Sequence, residues 1–202
     1  MSPRVGVVDY GIGNLRSAQK ALEHLGVDAQ LCTTAAAVDA ADVVLLPGVG
    51  SFGRCVEEID ARGLRDACVA AATDGRPFLG ICVGLQLLFE ASAESPGVSG
   101  LGVLSGEVQR ISADLPLPQM QWNLTEGAGE GALASVVDGG YFYYVHSFVA
   151  PASSVTAATC SYGGELVAAV QRGPLWAVQF HPEKSGEAGL AFLSAFIEQA
   201  AA

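Results

Sequence analysis

The chain has 202 residues, half of them hydrophobic and only 15% charged, with 25 glycines and a formal net charge of −11. It is long enough to bury one full core, and its composition suits close-packed α/β architecture better than a disordered or fibrous chain. The acidic balance argues against a nucleic-acid binder, whose surface is basic. The 5 cysteines include no C-x-x-C pair, which argues against a disulfide framework or a zinc site. Reduced thiols are expected in the cytoplasm. The N-terminus has no signal-peptide apolar core, and no apolar run reaches the ~18 residues of a membrane span, so no membrane association is expected.

Taken in order, residues 5–9 are a β-branched run that predicts a buried strand. A loop over 10–14 follows, with Asn14 placed to cap a helix. Leu15, Ala18, Leu22 and Leu25 form that helix's apolar stripe, and Gly26 ends it. The G-x-G-N loop lacks the third glycine of a dinucleotide fingerprint and the lysine of a P-loop, so no nucleotide cofactor is expected, and the cysteine pattern leaves no metal expected either. Further strands are predicted over 27–32 and 41–46. The second runs into Pro47-Gly48-Val49-Gly50-Ser51-Phe52-Gly53, three glycines beyond a strand's carboxyl end, where open α/β sheets place their sites. Helices are predicted over 52–61 and 63–73, then a strand over 76–79.

Next comes Gly80-Ile81-Cys82-Val83-Gly84, running into a helix marked by Leu85, Leu88 and Phe89. Strands and helices in this order predict a mostly parallel sheet with helices on both faces. The second half adds strands over 101–111, 141–149, 155–160, 166–171 and 175–180. A loop is expected over 116–123, and an amphipathic helix over 187–201 closes the chain. No linker or repeat divides it, so 1–202 reads as one domain.

G-x-C-x-G between a strand and a helix is the cysteine form of a nucleophile elbow, with glycines permitting the tight turn. The helix N-terminus favours a thiolate at Cys82 by at most about 2 kcal/mol, or roughly 1.5 pKa units. That leaves an ordinary thiol partly protonated, so a base is required. Of the 3 histidines, His24 sits among polar helix neighbours and His146 lies in an aromatic strand. His181 stands at a strand's carboxyl end and is followed by Pro182 and Glu183. A carboxylate two residues on can reach the second ring nitrogen, select the tautomer and stabilise the imidazolium. Cys82, His181 and Glu183 then make a nucleophile, base and orienter. The Val83 N–H is a natural oxyanion donor, and the Val49-Gly50 loop is the candidate for a second. Losing one such donor costs about 2.7–4 kcal/mol.

These three segments resemble the class I, triad-type glutamine amidotransferases, which carry a flavodoxin-like fold. Within them the chain resembles the glutaminase subunits of imidazole glycerol phosphate synthase, over essentially its whole length. The motifs that discriminate are Val8-Asp9-Tyr10-Gly11-Ile12-Gly13-Asn14-Leu15, the Pro47-to-Gly53 loop, Tyr143-Tyr144-Val145-His146-Ser147 and His181-Pro182-Glu183-Lys184-Ser185.

The resemblance implies hydrolysis of glutamine to glutamate and ammonia. It implies that Gly50, Gln86 and Glu94 hold the substrate, and that Ser147 and Phe148 meet its amino-acid end through their backbone. It implies delivery of ammonia to a (β/α)8-barrel cyclase in a heterodimer for histidine biosynthesis, with Tyr143 and Lys184 at the interface. It further implies activation by that partner through the Val49-Gly50 loop. Gln119 and Gln121 depart from the family's histidine and glycine, and Gln121 would disfavour a positive φ there. A glutaminase for another synthase, such as that of pyridoxal phosphate, and a catalytically dead binding scaffold are the alternatives. The intact triad residues stand against the second.

Overall fold

The computed structural model describes residues 3–112 and 114–199. Met1, Ser2, Ala113 and Ala200 to Ala202 lie outside them, including the end of the helix predicted over 187–201. The first half runs β1 (Val5–Val8), α1 (Leu15–His24), β2 (Ala29–Cys32), α2 (Ala35–Asp39), β3 (Val43–Gly48), α3 (Phe52–Ala61), α4 (Arg65–Thr73), β4 (Phe78–Cys82) and α5 (Val83–Leu87). The second half runs β5 (Phe89–Ser92), β6 (Leu104–Arg110), β7 (Gln119–Gly127), α6 (Ala132–Val137), β8 (Gly140–His146), β9 (Phe148–Val149), β10 (Thr156–Ser161), β11 (Glu165–Arg172) and β12 (Leu175–Val178). One 3-10 turn (Pro182–Lys184) and α7 (Gly186–Glu198) follow.

The large sheet has the order β2-β1-β3-β4-β12-β11-β10-β7-β8. Its first five strands are parallel, in a flavodoxin-like order. The other four continue it antiparallel. β1 to β2 steps one way across the sheet, whereas β2 to β3 steps back over β1. Right-handed crossovers therefore put α1 and α2 on opposite faces, and α1 accordingly meets α7 while α2 meets α4. A small second sheet, β5-β6-β9, lies beside it. No helix among the described residues is long and apolar enough to cross a membrane.

Several local expectations change. Residues from Gln119 onward, expected in a loop, form β7 in register with β8 from Gln119↔His146 to Thr125↔Gly140. Prolines and amides at 116–123 read as a turn, but the aromatic strand beside them supplies a ladder that overrides weak local preference. Gln121 is extended there. Among the described residues Cys82 is the only non-glycine with positive φ, so position 121 makes no demand for glycine. The helix after the elbow stops at Leu87, and Phe89 begins β5 opposite Leu104. Leu85, Leu88 and Phe89 are buried either way, which is why their spacing did not separate helix from strand.

The chain also adds α2, whose Thr34 Oγ accepts the Ala37 N–H at 3.3 Å, because parallel strands need a crossover. It adds α6 as well. Asn14 stands at the start of α1 but makes no side-chain cap to its backbone; its Oδ1 instead accepts from the Ser17 hydroxyl at 2.7 Å. The helix predicted over 63–73 begins at Arg65.

An aromatic cluster ties the antiparallel half to the parallel one. Phe180 stacks on Phe142 of β8, with ring centroids 4.1 Å apart, and meets Phe192 of α7 edge-on. Trp176 meets Phe192 and Phe196. Such pairs contribute about 0.5–1.5 kcal/mol each beyond area burial, and they anchor the residue immediately before His181.

Candidate active site

β3, β4 and β12 are adjacent parallel strands, and the site forms at their carboxyl ends. β4 ends at Cys82, which takes φ 55 and ψ −110. Strained backbone of this kind costs of order 1–3 kcal/mol and persists only where the surroundings over-determine it. Those surroundings are glycine contacts. A side chain at Gly84 would overlap the Leu46 carbonyl oxygen, and one at Gly80 would lie 2.9 Å from the Gly84 carbonyl oxygen. Neither glycine has a positive φ; both serve close backbone approach, and the strain falls on the cysteine. α5 has only five residues, so its dipole is a weaker aid than a full helix. Val83 is its first residue, where no preceding turn accepts the N–H.

One strand over, β12 ends at Val178, opposite Ile81. His181 follows at 1% exposure, and its Nδ1 lies 2.8 Å from Glu183 Oε1. A carboxylate there sets Nδ1 as the protonated nitrogen of the neutral ring. Nε2 is buried and has no hydrogen-bond partner among the described residues. Burial pushes the imidazole pKa down, but Cys82 and Glu183 outweigh it and raise the value to about 10. The site therefore favours an imidazolium beside the sulfur. The turn is pinned from β8: His181 N–H donates to the Tyr143 carbonyl at 2.9 Å, Tyr143 N–H donates to Ser185 Oγ at 3.0 Å, and that hydroxyl donates to the His181 carbonyl at 2.6 Å.

The third wall is the loop after β3. Tyr10 OH, fully buried, donates to the Pro47 carbonyl at 2.8 Å. Val49 O accepts from Cys55 Sγ at 3.4 Å, and a trans peptide sets its N–H opposite its C=O, so the Gly50 N–H faces away from Cys55. Gly50 has φ +90 with open space around it; conformation, not room, calls for glycine here. Glu94 is held in place because its Oε2 accepts the Phe52 N–H at 2.7 Å.

These walls enclose a cavity of about 580 Å³. Every site residue expected from sequence lines it except Glu183 and Tyr143. Glu183 stands behind His181, and Tyr143 lies 5.9 Å from Lys184 Nζ in a cation–π contact. Gln86 is 3% exposed, and its Nε2 donates to Phe148 O and to Gln179 Oε1, both at 3.1 Å. Its amide protons are therefore committed inside the protein. Phe148 O also accepts from His146 Nδ1 at 2.8 Å, which occupies its second lone pair.

Sequence reasoning missed Gly13, Asn14 and His146 on the wall, and Gln179 beneath the sulfur at 3.7 Å. His146 sits at the carboxyl end of β8, and burial pushes its pKa down to about 4. Gln179 adjoins a motif already singled out, and its position beside His181 was the only signal that offered it.

An elbow cysteine, a carboxylate-oriented histidine and a glycine loop on this sheet define a class-I amidotransferase. The sequence profile described as "Glutamine amidotransferase class-I" matches residues 6–200. Imidazole glycerol phosphate synthase subunit HisH of Rhodopirellula baltica is 47% identical, over 95% of this chain and 96% of the relative. The protein of that name from Methanothermobacter thermautotrophicus is 44% identical, over 96% and 98%. The solved structure of PurLQS from Thermotoga maritima superposes with a TM-score of 0.76 over 98% of this chain and 99% of that one. At 21% identity that likeness shows the fold alone. The chain belongs to the class-I glutamine amidotransferases and, within them, to the HisH subunits of imidazole glycerol phosphate synthase. Membership makes it a glutamine-hydrolysing subunit.

Proposed function

We propose that Cys82, His181 and Glu183 perform this hydrolysis and that the ammonia passes directly to a synthase partner. The thiolate of Cys82 attacks the side-chain carboxamide carbon of glutamine. The N–H groups of Val83 and Gly50 stabilise the oxyanion of the tetrahedral adduct, a term of several kcal/mol in such sites. His181, protonated on Nε2, gives its proton to the departing nitrogen, and ammonia leaves behind a glutamyl thioester. Neutral His181 then takes a proton from water, hydroxide adds to the thioester, and glutamate departs as the thiolate returns. Glu183 holds the ring's orientation throughout. The free oxygen of Glu94 serves the substrate's α-ammonium, and Gln86, Ser147 and Phe148 shape the amino-acid end of the pocket. The single observation that carries this reading is the convergence of Cys82 and the His181–Glu183 pair on one cavity with the glycine loop.

The partner is read as a (β/α)8-barrel cyclase. It would use the ammonia on a phosphorylated aminoimidazole-carboxamide ribonucleotide and release imidazole glycerol phosphate and the aminoimidazole-carboxamide ribotide. Its docking face is assigned to the outer side of the β7–β8 strand pair. Met120, Trp122 and Tyr141 there are 64%, 51% and 59% exposed, and Trp122 packs edge-on against Tyr143. An apolar exposed patch of this kind marks an interaction surface, and it adjoins the cavity through Lys184. The whole chain acts as one amidotransferase domain in the cytoplasm.

Glutamate release, measured with and without a barrel cyclase and its nucleotide, tests this reading. Strong stimulation is expected. No stimulation points to a different synthase, and no activity in either condition points to a binding scaffold. Cys82→Ala is expected to abolish hydrolysis without unfolding the chain, and hydrolysis retained in that variant overturns the mechanism.

A further inference from the structure

We propose that Gln179 is a second hydrogen-bond donor to the nucleophile, oriented by Gln86, and that the two amides form a buried relay holding Cys82 in its reactive form. Gln179 follows directly on β12 and is 0% exposed. Because Val178 lies opposite Ile81, the next step of each strand brings Gln179 beside Cys82. Its Nε2 donates to Cys82 Sγ at 3.7 Å, and its Oε1 accepts from Gln86 Nε2 at 3.1 Å. Gln86 Nε2 in turn donates to the Phe148 main-chain carbonyl at 3.1 Å.

The order of these contacts settles which end of each amide faces which way. A main-chain carbonyl can only accept. Gln86 must therefore present its NH2 group to Phe148, and the second proton of that NH2 points at Gln179. Gln179 must answer with its oxygen, which turns its own NH2 to the sulfur. A flip of either amide would set oxygen against oxygen or nitrogen against nitrogen. The donor character of the group facing Cys82 is thus dictated by a backbone carbonyl 66 residues along the chain from the cysteine, and side-chain rotation cannot reverse it.

An N–H donor favours the charged form of the group that accepts it. The sulfur is anionic twice in the reaction, as nucleophile in the first half and as leaving group in the second. His181 changes protonation between those halves, whereas the Gln179 amide does not titrate. The relay therefore supplies a constant stabilisation where the imidazole supplies a variable one. It also gives Gln86 a role as a positioning residue, acting on the sulfur through Gln179.

The inference rests on Cys82 being the nucleophile, which Cys82→Ala tests by itself. The test of the relay is the pH profile of Cys82 alkylation by iodoacetamide in the full chain, followed on the Cys82-containing peptide. Gln179→Met keeps the approximate volume and removes the donor. Its alkylation midpoint is expected to rise by about one pH unit, a tenfold fall in thiolate at a given pH below it. In the assembled synthase, kcat for glutamine should fall about tenfold while KM changes little. Gln86→Met should raise the midpoint in the same direction although it does not touch the sulfur. A side chain that merely packs would lower thermal stability and leave the midpoint where it is, so unchanged midpoints in both variants overturn the proposal. Should Gln179→Met fail to fold, the isosteric Gln179→Glu carries the test. A carboxylate against the sulfur must slow alkylation at neutral pH, and wild-type reactivity in that variant overturns the relay. An inactive Cys82→Ala together with unmoved midpoints leaves the triad standing and removes only the relay.

Discussion

The two halves of the site sit on neighbouring strands, yet they are held by different means. The elbow at the end of β4 is locked by backbone packing: glycines at 80 and 84 leave no room between β3, β4 and α5, and Cys82 carries the resulting strain. The His181 turn at the end of β12 is held by three hydrogen bonds to and from Tyr143 and Ser185. Tyr143 belongs to the β7–β8 strand pair whose outer face is exposed and aromatic. Cys82, the proposed nucleophile, is therefore built into the rigid parallel core, whereas His181, the proposed base, is suspended from the strand on which the partner is proposed to dock. A displacement of β8 reaches His181 through the backbone of one residue and reaches Cys82 only indirectly.

The sharpest way to break the elbow is Gly84→Ala. Its Cβ would overlap the Leu46 carbonyl, which is backbone and cannot swing aside. A loss of about 3 kcal/mol or more in unfolding free energy is expected, with hydrolysis abolished; denaturant melts and a glutaminase assay check both.

Acid should act on the other half. The His146 pKa in the folded chain is lowered to about 4, so below the unfolded value near 6.5 the unfolded state binds the proton more readily. About 3 kcal/mol of stability is then lost as pH falls from about 6.5 to about 4. His181 has the opposite sign. Its pKa is raised to about 10, so its contribution is complete below about pH 6.5 and fades as pH rises toward 10. Denaturant titrations across pH should show both flanks, and His146→Gln should flatten the acid one.

Ser185→Ala leaves the Tyr143 N–H without its partner and should cost about 1–3 kcal/mol. The informative readout is the split between functions. Glutaminase kcat should fall through a loosened His181, while alkylation of Cys82 by iodoacetamide still reaches completion because the elbow is intact. Loss of both would place the two halves under one constraint. The smallest effect on the isolated chain is expected from Trp122→Ala, within about 0.5 kcal/mol of folding stability. The same change should weaken partner binding by about 2 kcal/mol if Trp122 anchors the interface, and calorimetry with the cyclase measures that difference.

The legible parts of this molecule are those whose chemistry is local in the chain. Gly80 to Gly84, His181 to Glu183 and Pro47 to Gly50 each carry their meaning within a few residues, because a tight turn, a carboxylate two positions from a histidine and a loop at a strand's end all depend on near neighbours. The alternation of apolar runs likewise places most strands and helices. By itself, the sequence determined the parallel α/β half and the family, and it supplied the nucleophile and base proposed above.

The tertiary structure decided what depends on distant partners. β7 is a strand because β8 lies beside it, although the prolines just before it and its own amides argue for a turn. Phe89 opens a strand because Leu104 is there to pair with it. Gln179 reads in sequence as one polar residue after a strand, and becomes a donor to sulfur only when Gln86 and Phe148 are packed against it. Strain at Cys82 was likewise invisible, since the glycines that enforce it act across strands. The physical reason is common to all four: propensity and spacing are set along the chain, whereas ladder pairing, close backbone approach and the polarity of a buried amide are set by atoms brought together from far apart.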